Sequence, residues 1–373
     1  MQKRILYIIN VDWFFISHRL PIAQKMQQEG YEVHVALKIT DHYDLLTSHG
    51  FIVHDLNFSR NSINFLSELN LLKSVYRLFK KVNPSICHLV TAKPLLYGGF
   101  VSKILKVPTV IAFSGLGHAF TSPKLYFKFI RKIILKVYKF IFSRNRIAFI
   151  FQNLSDLAII ESLNILKQDN THLIKGSGVD IREYMYQPEK NYTPRVVTIS
   201  RLLKQKGIIE FLKAAKHLLS EGVNAEFIVY GEIDTENPDT LIQSELEYWS
   251  NIKGITFSGF TNTPNKVLEN SHILVLPSYY GEGLPKTLIE GSACGRAIIT
   301  TDHPGCRDAI IPNKTGLLVP IKDEVQLSKA IYFLLENSEV RREMGKEGRK
   351  LAEREYDINS VVIKHLEIYQ SLV

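Results

Sequence analysis

The sequence predicts an α/β protein made of two Rossmann-like parallel-sheet domains facing a central cleft. Three observations carry that expectation. The chain has 373 residues, more than one ordinary core accommodates. Short apolar runs suited to buried parallel strands alternate with amphipathic helical stretches along nearly its whole length. A polar, proline-bearing run over 179–194, near the middle, has the composition of a linker. The domains are therefore expected at 1–178 and 195–355.

Composition bounds the function classes. The chain is 45% apolar and 22% charged, as a folded globular protein should be. A net charge of +9 points to an anionic partner: a phosphate-bearing ligand, an acidic membrane surface or nucleic acid. Nucleic acid is the least favoured, because no helix-turn-helix, RNA-binding or zinc pattern accompanies the charge. Cys87, Cys294 and Cys306 are odd in number and widely spaced, so neither a disulfide framework nor a zinc site is expected, and a reducing compartment fits. The opening MQKRILYIIN is too short in its apolar run for a signal peptide. No run of about 18 apolar residues is present, so no membrane span is expected.

In the first half, strands are expected over 4–10, 31–37, 51–58, 84–90, 109–113 and 148–152, with a short edge strand over 172–175. Helices are expected over 20–30, 64–81 and 95–105. The opening βαβ pattern lacks G-x-G-x-x-G, so a dinucleotide is not expected. Asp12, Ser17, His18 and Arg19 fall where a ligand could meet the first strand; equally, Trp13, Phe14 and Phe15 fit a core with His18 at the helix start. Lys93 stands at a strand's carboxyl end, where it could meet phosphate or simply be solvated. The turn Ser114-Gly115-Leu116-Gly117-His118 lets backbone approach a ligand closely.

Residues 123–146 contain eight basic side chains and no acid, set among Leu, Tyr, Phe and Ile. Lys124, Lys128, Arg131, Lys132, Lys136 and Lys139 fall within an arc of roughly 140° at helical pitch. A basic, aromatic-rich amphipathic helix reads as a membrane-surface element, since each cation near an anionic leaflet contributes about 1 kcal/mol. A solvated face on a core helix is the alternative, disfavoured because like charges repel at i,i+4.

The second half repeats the alternation. Strands are expected over 195–200, 225–230, 255–258, 272–277, 296–301 and 316–319, and helices over 208–219, 240–250, 262–270, 285–293 and 325–335. The loop Arg201-Leu202-Leu203-Lys204-Gln205-Lys206-Gly207 lies between a strand's carboxyl end and a helix N-terminus. Its guanidinium fork, ammonium point charge and helix amides suit a diphosphate, and its three cations would repel without an anion. From 272 to 308 the order is strand, turn, helix, strand, with Glu282 and Glu290 flanking the helix start at Pro285. Ionised carboxylates only accept hydrogen bonds and so suit sugar or ribose hydroxyls. Both loops leave the same sheet edge.

These residues carry a resemblance. Arg201 with Lys206-Gly207, Gly283 within Glu282-Gly-Leu-Pro285, and Glu290 eight positions after Glu282 resemble the retaining family-four glycosyltransferases of the GT-B fold, whose E-x7-E motif the acids match. That likeness covers nearly the whole second half. His18-Arg19-Leu20-Pro21, Thr91-Ala92-Lys93-Pro94, Ser114-Gly115-Leu116-Gly117 and Gly176-Ser177-Gly178-Val179-Asp180 resemble a subset that extends bacterial surface polysaccharides or lipid-linked oligosaccharides. The resemblance implies a nucleotide-sugar donor, UDP-linked, held mainly by the second domain. Arg201 and Lys206 would hold the diphosphate, Glu290 the ribose and Glu282 the sugar, with Gly231, Gly283, Leu284, Pro285, Lys286 and Thr287 completing the donor site. The first domain would bind an undecaprenyl-diphosphate-linked acceptor through His18, Arg19, Lys93, Gly115, Gly117 and His118, and the last helix, over 358–373, would return to it. Catalysis would fall to Glu282, Arg201, Lys206 and His118, without a cofactor or divalent metal, with retention of anomeric configuration. The setting implied is the inner face of the bacterial plasma membrane, with the basic helix on the leaflet. Two departures stand out. The N-terminal loop lacks the family's common Gly-Gly, and His118 occupies a position where an aromatic residue is expected. A nucleotide-sugar 2-epimerase shares the fold but needs no lipid. Against a non-catalytic nucleotide- or membrane-binding protein stands the retention of both acids with both cations.

Overall fold

The computed structural model describes residues 2–56, 58, 65–116, 125–143, 145–166, 170–235 and 237–373, except the side chains of 65 and 125–130. The chain divides into two compact units, one of Met1–Ser177 with Asn359–Val373, the other of Gly178–Ile358.

The first unit is built on a seven-stranded sheet of β1 (Arg4–Val11), β2 (Glu32–Lys38), β3 (Ile52–Asp55), β4 (Ile86–Val90), β5 (Thr109–Phe113), β6 (Ile147–Phe151) and β7 (Thr171–Leu173). Its order is β3-β2-β1-β4-β5-β6-β7, and every pairing is parallel. Parallel strands buried on both faces should be apolar throughout, and β4, β5 and β6 are buried at every position. Val75 and Phe79 from the Phe65–Val82 helix, with Ile141 and Phe142 from the Leu125–Phe142 helix, pack in one cluster with Leu6, Leu89, Ile111 and Phe149 of the sheet. The C-terminal helix Ile358–Leu372 belongs to this unit from Asn359 onward. Tyr369 Oη lies 2.5 Å from His88 Nδ1, and Arg146 Nε donates to the Leu372 carbonyl at 2.9 Å.

The second unit holds a six-stranded parallel sheet of β8 (Arg195–Ile199), β9 (Glu226–Tyr230), β10 (Ile255–Phe257), β11 (Ile273–Leu276), β12 (Ala297–Thr301) and β13 (Gly316–Val319), in the order β10-β9-β8-β11-β12-β13. Alternate residues feed two cores. Val196, Ile273, Val275 and Ile299 join one cluster, while Val197, Leu274, Leu276 and Ile298 join the other. The chain winds outward from β8 in one direction and from β11 in the other, so the order reverses between these neighbours. That crevice is where open α/β sheets collect ligands, at the carboxyl ends of the strands.

Three sequence expectations are revised. The run 179–194 is not a free linker. Val179 exchanges backbone hydrogen bonds with Tyr356 and Ile358 at 2.8 and 3.0 Å, and Glu189 forms a buried ion pair with Arg341 at 2.9 Å. Strand β3 covers only Ile52–Asp55. The first helix spans Asp12–Gln28, beginning eight residues before its expected start and enclosing Pro21. Asp12 explains the early start. Its fully buried carboxylate accepts the Trp13 amide at 2.7 Å, within the helix's first turn. It also accepts the Thr40 amide at 2.7 Å, the Thr40 hydroxyl at 2.6 Å and the amides of Asp41 and His42 at 3.2 Å. Asp12 therefore fastens the loop after β2 to the end of β1.

Burial pushes the Asp12 pKa up, but the hydrogen bonds from Thr40, His42 and Trp13 outweigh it and hold the carboxyl below its ordinary 3.8. A lowered folded-state pKa contributes stability that is complete above the unfolded value and is lost as pH falls through the folded one. Asp12→Asn should cost about 1–3 kcal/mol in urea unfolding at pH 7. The deficit should shrink below about pH 4; a deficit equal at pH 7 and pH 3 would contradict the assignment.

Candidate functional site

The turn after β8 and the turn after β11 meet beside the crevice. Ser200 and Arg201 leave β8, and a 3-10 turn over Lys204–Lys206 leads into the helix Ile208–Ser220. Gly207 joins the two with φ at +76°, and a Cβ there would stand 2.1 Å from the Pro277 carbonyl oxygen. Only glycine satisfies both constraints, so the basic turn can lie directly on the chain leaving β11. The Tyr279 amide donates to the Gln205 carbonyl at 2.9 Å and locks the contact.

Each cation of the basic turn meets an acid. Lys206 Nζ lies 2.5 Å from Glu282 Oε2, with both side chains more than four-fifths buried. Arg201 Nη1 donates to Asp234 Oδ2 at 2.7 Å. Lys204 Nζ lies 2.8 Å from Glu245 Oε1. The repulsion that the sequence suggested an external anion must relieve is thus already balanced within the chain. Lys206 also lies over the Tyr280 ring, 5.6 Å from its centroid. Ser278 Oγ donates to the other Glu282 oxygen, Oε1, at 3.0 Å.

The acidic segment adopts the expected turn and helix, with Pro285 capping Lys286–Ala293 rather than opening its first turn. Gly283, Leu284 and Pro285 are buried, and Leu284 belongs to the core. Thr287 Oγ1 donates to the Ile199 carbonyl at 3.2 Å, tying this helix to β8. Glu290 is buried; its Oε1 accepts from Tyr184 Oη at 3.0 Å and lies 3.6 Å from Lys286 Nζ. Burial raises the Glu290 pKa above 4.5, against the opposing pull of Lys286 and Tyr184. Gly231, which follows β9, donates its amide to the Gly259 carbonyl at 2.8 Å, and a Cβ there would stand 1.9 Å from the Ser200 carbonyl oxygen. The donor-site residues expected from sequence, Arg201, Lys206, Gly231, 282–287 and Glu290, lie on the segments that follow β8, β9 and β11. Sequence reasoning missed Asp234, Glu245 and Tyr184. The first two follow from parallel pairing of β8 with β9, and the third from the packing of 179–194.

The first-unit candidates are more scattered. His18 stacks on Phe14 at 4.1 Å between ring centroids and bonds Ser17 at 2.6 Å. Arg19, expected at the ligand edge, is instead 1% exposed beside Tyr7 and Tyr369. Its Nη1 donates to the His18 carbonyl at 2.9 Å, and burial lowers its pKa to about 10, so it remains cationic at neutral pH. Lys93 pairs with Glu68 at 2.7 Å, and Tyr97 donates to the same carboxylate. Gly115 takes φ of +108°. Gly117, His118 and Lys124 lie outside the described residues, as does the side chain of Lys128. Thr91, at the end of β4, holds φ at +73°, a conformation that costs a non-glycine residue about 1–3 kcal/mol.

On the Leu125–Phe142 helix, Lys132, Lys136 and Lys139 are exposed and Arg131 is half-buried, while Tyr138, Ile141 and Phe142 face the core. Ile133 is 49% exposed and Phe140 is 45% exposed. The solvent face is thus basic and apolar together. Among the described residues no helix is long and apolar enough to cross a membrane, and no group of His, Cys, Asp and Glu could hold a metal.

Comparison with known proteins agrees with this architecture. The family described as Glycosyl transferases group 1 matches residues 180–351, and that described as Glycosyl transferase 4-like matches residues 4–150. The N,N'-diacetylbacillosaminyl-diphospho-undecaprenol alpha-1,3-N-acetylgalactosaminyltransferase of Campylobacter jejuni is 28% identical, covering 96% of this chain and 98% of that protein. Sucrose-phosphate synthase from Thermosynechococcus elongatus superposes with a TM-score of 0.80 at 18% identity, over 99% of each chain. Anabaena HepE, solved in complex with UDP, gives 0.79 at 16%, over 99% of this chain and 100% of that one. Two parallel-sheet units, matches on both halves and a relative aligned nearly end to end lead to one conclusion: the chain belongs to the family-four glycosyltransferases of the GT-B fold.

Proposed function

We infer that this glycosyltransferase moves an N-acetylhexosamine or hexose from a UDP-linked donor to an undecaprenyl-diphosphate-linked saccharide, with retention, in bacterial surface polysaccharide (O-antigen or capsule) biosynthesis. The observation that carries the reading is the ion pair between Lys206 and Glu282 at the sheet's switch point. A diphosphate is a stronger partner for an ammonium than a single carboxylate, because it offers more charge and more acceptor oxygens. On donor binding, Lys206 passes to the diphosphate beside Arg201, and Glu282 turns to accept hydrogen bonds from the sugar's hydroxyls. Glu290, oriented by Tyr184 and Lys286, accepts from the ribose. As the glycosidic bond to the diphosphate breaks, charge builds on the departing nucleotide; Arg201 and Lys206 already face it and need no metal to neutralise it. The Campylobacter relative's name, which specifies a diphospho-undecaprenol acceptor, and the UDP bound by HepE support the choice of substrates.

The enzyme works peripherally on the inner face of the plasma membrane. The exposed Lys132, Lys136 and Lys139, with Ile133 and Phe140 among them, suit an anionic leaflet: the cations meet headgroups and the apolar side chains enter the acyl boundary. Lys93 meets the acceptor's phosphates, exchanging Glu68 for them.

Radiolabelled transfer from UDP-sugars to a lipid-diphosphate saccharide tests the reaction. Wild type should label the lipid, and Lys206→Ala or Glu282→Ala should lower kcat/KM by about 100-fold or more. Wild-type rates in either variant would remove that residue from the site. Flotation with anionic liposomes tests the membrane surface separately. Replacing Lys132, Lys136 and Lys139 with Ala should weaken binding by about 100-fold, at about 1 kcal/mol per cation. Unchanged flotation would exclude this helix.

A further inference from the structure

The loop from Gly231 to Leu241, between β9 and the helix Gln243–Ser250, grips the basic turn along its length. The Leu202 amide donates to Glu232 at 3.1 Å, the Lys204 amide to Asp239 at 2.8 Å and the Leu241 amide to Leu202 at 2.8 Å. Leu203 and Thr240 form an antiparallel bridge, and Gln205 donates its side-chain amide to Asp239. Within this clasp one acid is fixed on Arg201. The Asp234 backbone amide donates to Thr240 Oγ1 at 3.0 Å, and that hydroxyl donates to the Leu202 carbonyl at 3.2 Å. Asp234 Oδ2 then accepts from Arg201 Nη1 at 2.7 Å. The relay closes on itself: Arg201 is held by a carboxylate whose own backbone is anchored to the residue after Arg201.

Asp234 and Glu282 face the two cations in different ways. Glu282 reaches Lys206 from the turn after β11, where Ser278 Oγ bonds both Glu282 Oε1, at 3.0 Å, and the Gln205 carbonyl, at 3.3 Å. Asp234 reaches Arg201 from a loop whose backbone is bonded through Thr240 to Leu202, the next residue of the same turn. Its oxygen engages one terminal nitrogen of a guanidinium that carries five N–H groups in a rigid fork. An arginine side chain held this way has less rotamer freedom to lose when a ligand is bound. Both side chains are only partly covered, at 34% and 19% exposure, so the pair stands at the surface of the site rather than in the core.

We propose that Asp234 is a positioning residue of the donor site, which aims Arg201 at the diphosphate of a nucleotide through the relay with Thr240. The proposal rests on the donor-site reading above and adds a residue to it. Asp234 touches no substrate; its effect passes through Arg201 alone.

Calorimetric titration with UDP, paired with transfer kinetics, tests this. Asp234→Ala should weaken UDP binding by about tenfold and lower kcat/KM for transfer by at least as much, because Arg201 faces the diphosphate in the bound donor and in the departing nucleotide. Asp234→Asn, which keeps an acceptor oxygen, should recover most of that loss, and Thr240→Val should reproduce part of it. Arg201→Ala should be the more damaging single change, and the Asp234→Ala/Arg201→Ala double variant should bind no worse than Arg201→Ala by itself. Melting temperature without nucleotide separates this from misfolding, and Asp234→Asn supplies the comparison should Asp234→Ala fail to fold. Losses that multiply in the double variant, UDP affinity unchanged in Asp234→Ala and Asp234→Asn, or affinity that rises would each overturn the positioning role. If wild type binds UDP normally and only these patterns fail, the donor site stands and Asp234 leaves it. If wild type binds no UDP, both fall together.

Discussion

Charge balance in one short turn governs the second unit. Between Arg201 and Lys206 three cations crowd onto a turn that must also lie against β11, where Gly207 leaves no room for a side chain. In isolation they would repel. In the folded chain each meets a carboxylate: Asp234 and Glu245 from beyond β9, Glu282 from beyond β11. That is possible because β8 lies between those two strands with every carboxyl end on one edge. Sheet order, glycine geometry and charge pairing thus depend on one another. The turn is hydrogen-bonded to the chain after β9 on its Asp234 side and to the chain after β11 on its Glu282 side.

The first unit handles its polar groups differently. Arg19 is enclosed with Tyr7, His88, Tyr369 and His365, and its Nε has no partner in the described structure. Burying a guanidinium without a carboxylate is expensive, which makes Arg19 a poor choice for contact with a lipid diphosphate at the surface. Burial likewise lowers the His88 and His365 pKa values, and both rings stay neutral beside that cation. Lys93 remains the better candidate, since it is paired at a strand end with a half-buried acid rather than sealed in a core.

Much of the fold was legible from pattern. Alternating apolar strands and amphipathic helices placed nearly every strand of both sheets within a few residues, because period and burial are properties of adjacent positions. The basic and acidic turns beside the switch point were legible for a related reason: the spacing of Glu282 and Glu290 and the run from Arg201 to Gly207 are local. What escaped was set by contacts distant in sequence. Asp234 lies 33 residues after Arg201 and meets it only because β9 pairs with β8. Asp12 starts a helix eight residues before its expected start, through the loop at Thr40. The segment 179–194 has a linker's composition, yet Tyr184 orients Glu290 and Glu189 pairs with Arg341. Lys93 gave no sign that Glu68 would cover it.

In our reading, Lys206 exchanges Glu282 for the diphosphate of a nucleotide while Arg201 keeps Asp234. A crystal structure of the protein with UDP addresses it directly. The expected result has Lys206 Nζ and the Arg201 guanidinium within about 3 Å of phosphate oxygens, Asp234 still bonded to Arg201, and Glu282 turned away from Lys206. UDP bound elsewhere on the chain, or bound here with the Lys206–Glu282 pair intact, would contradict the account.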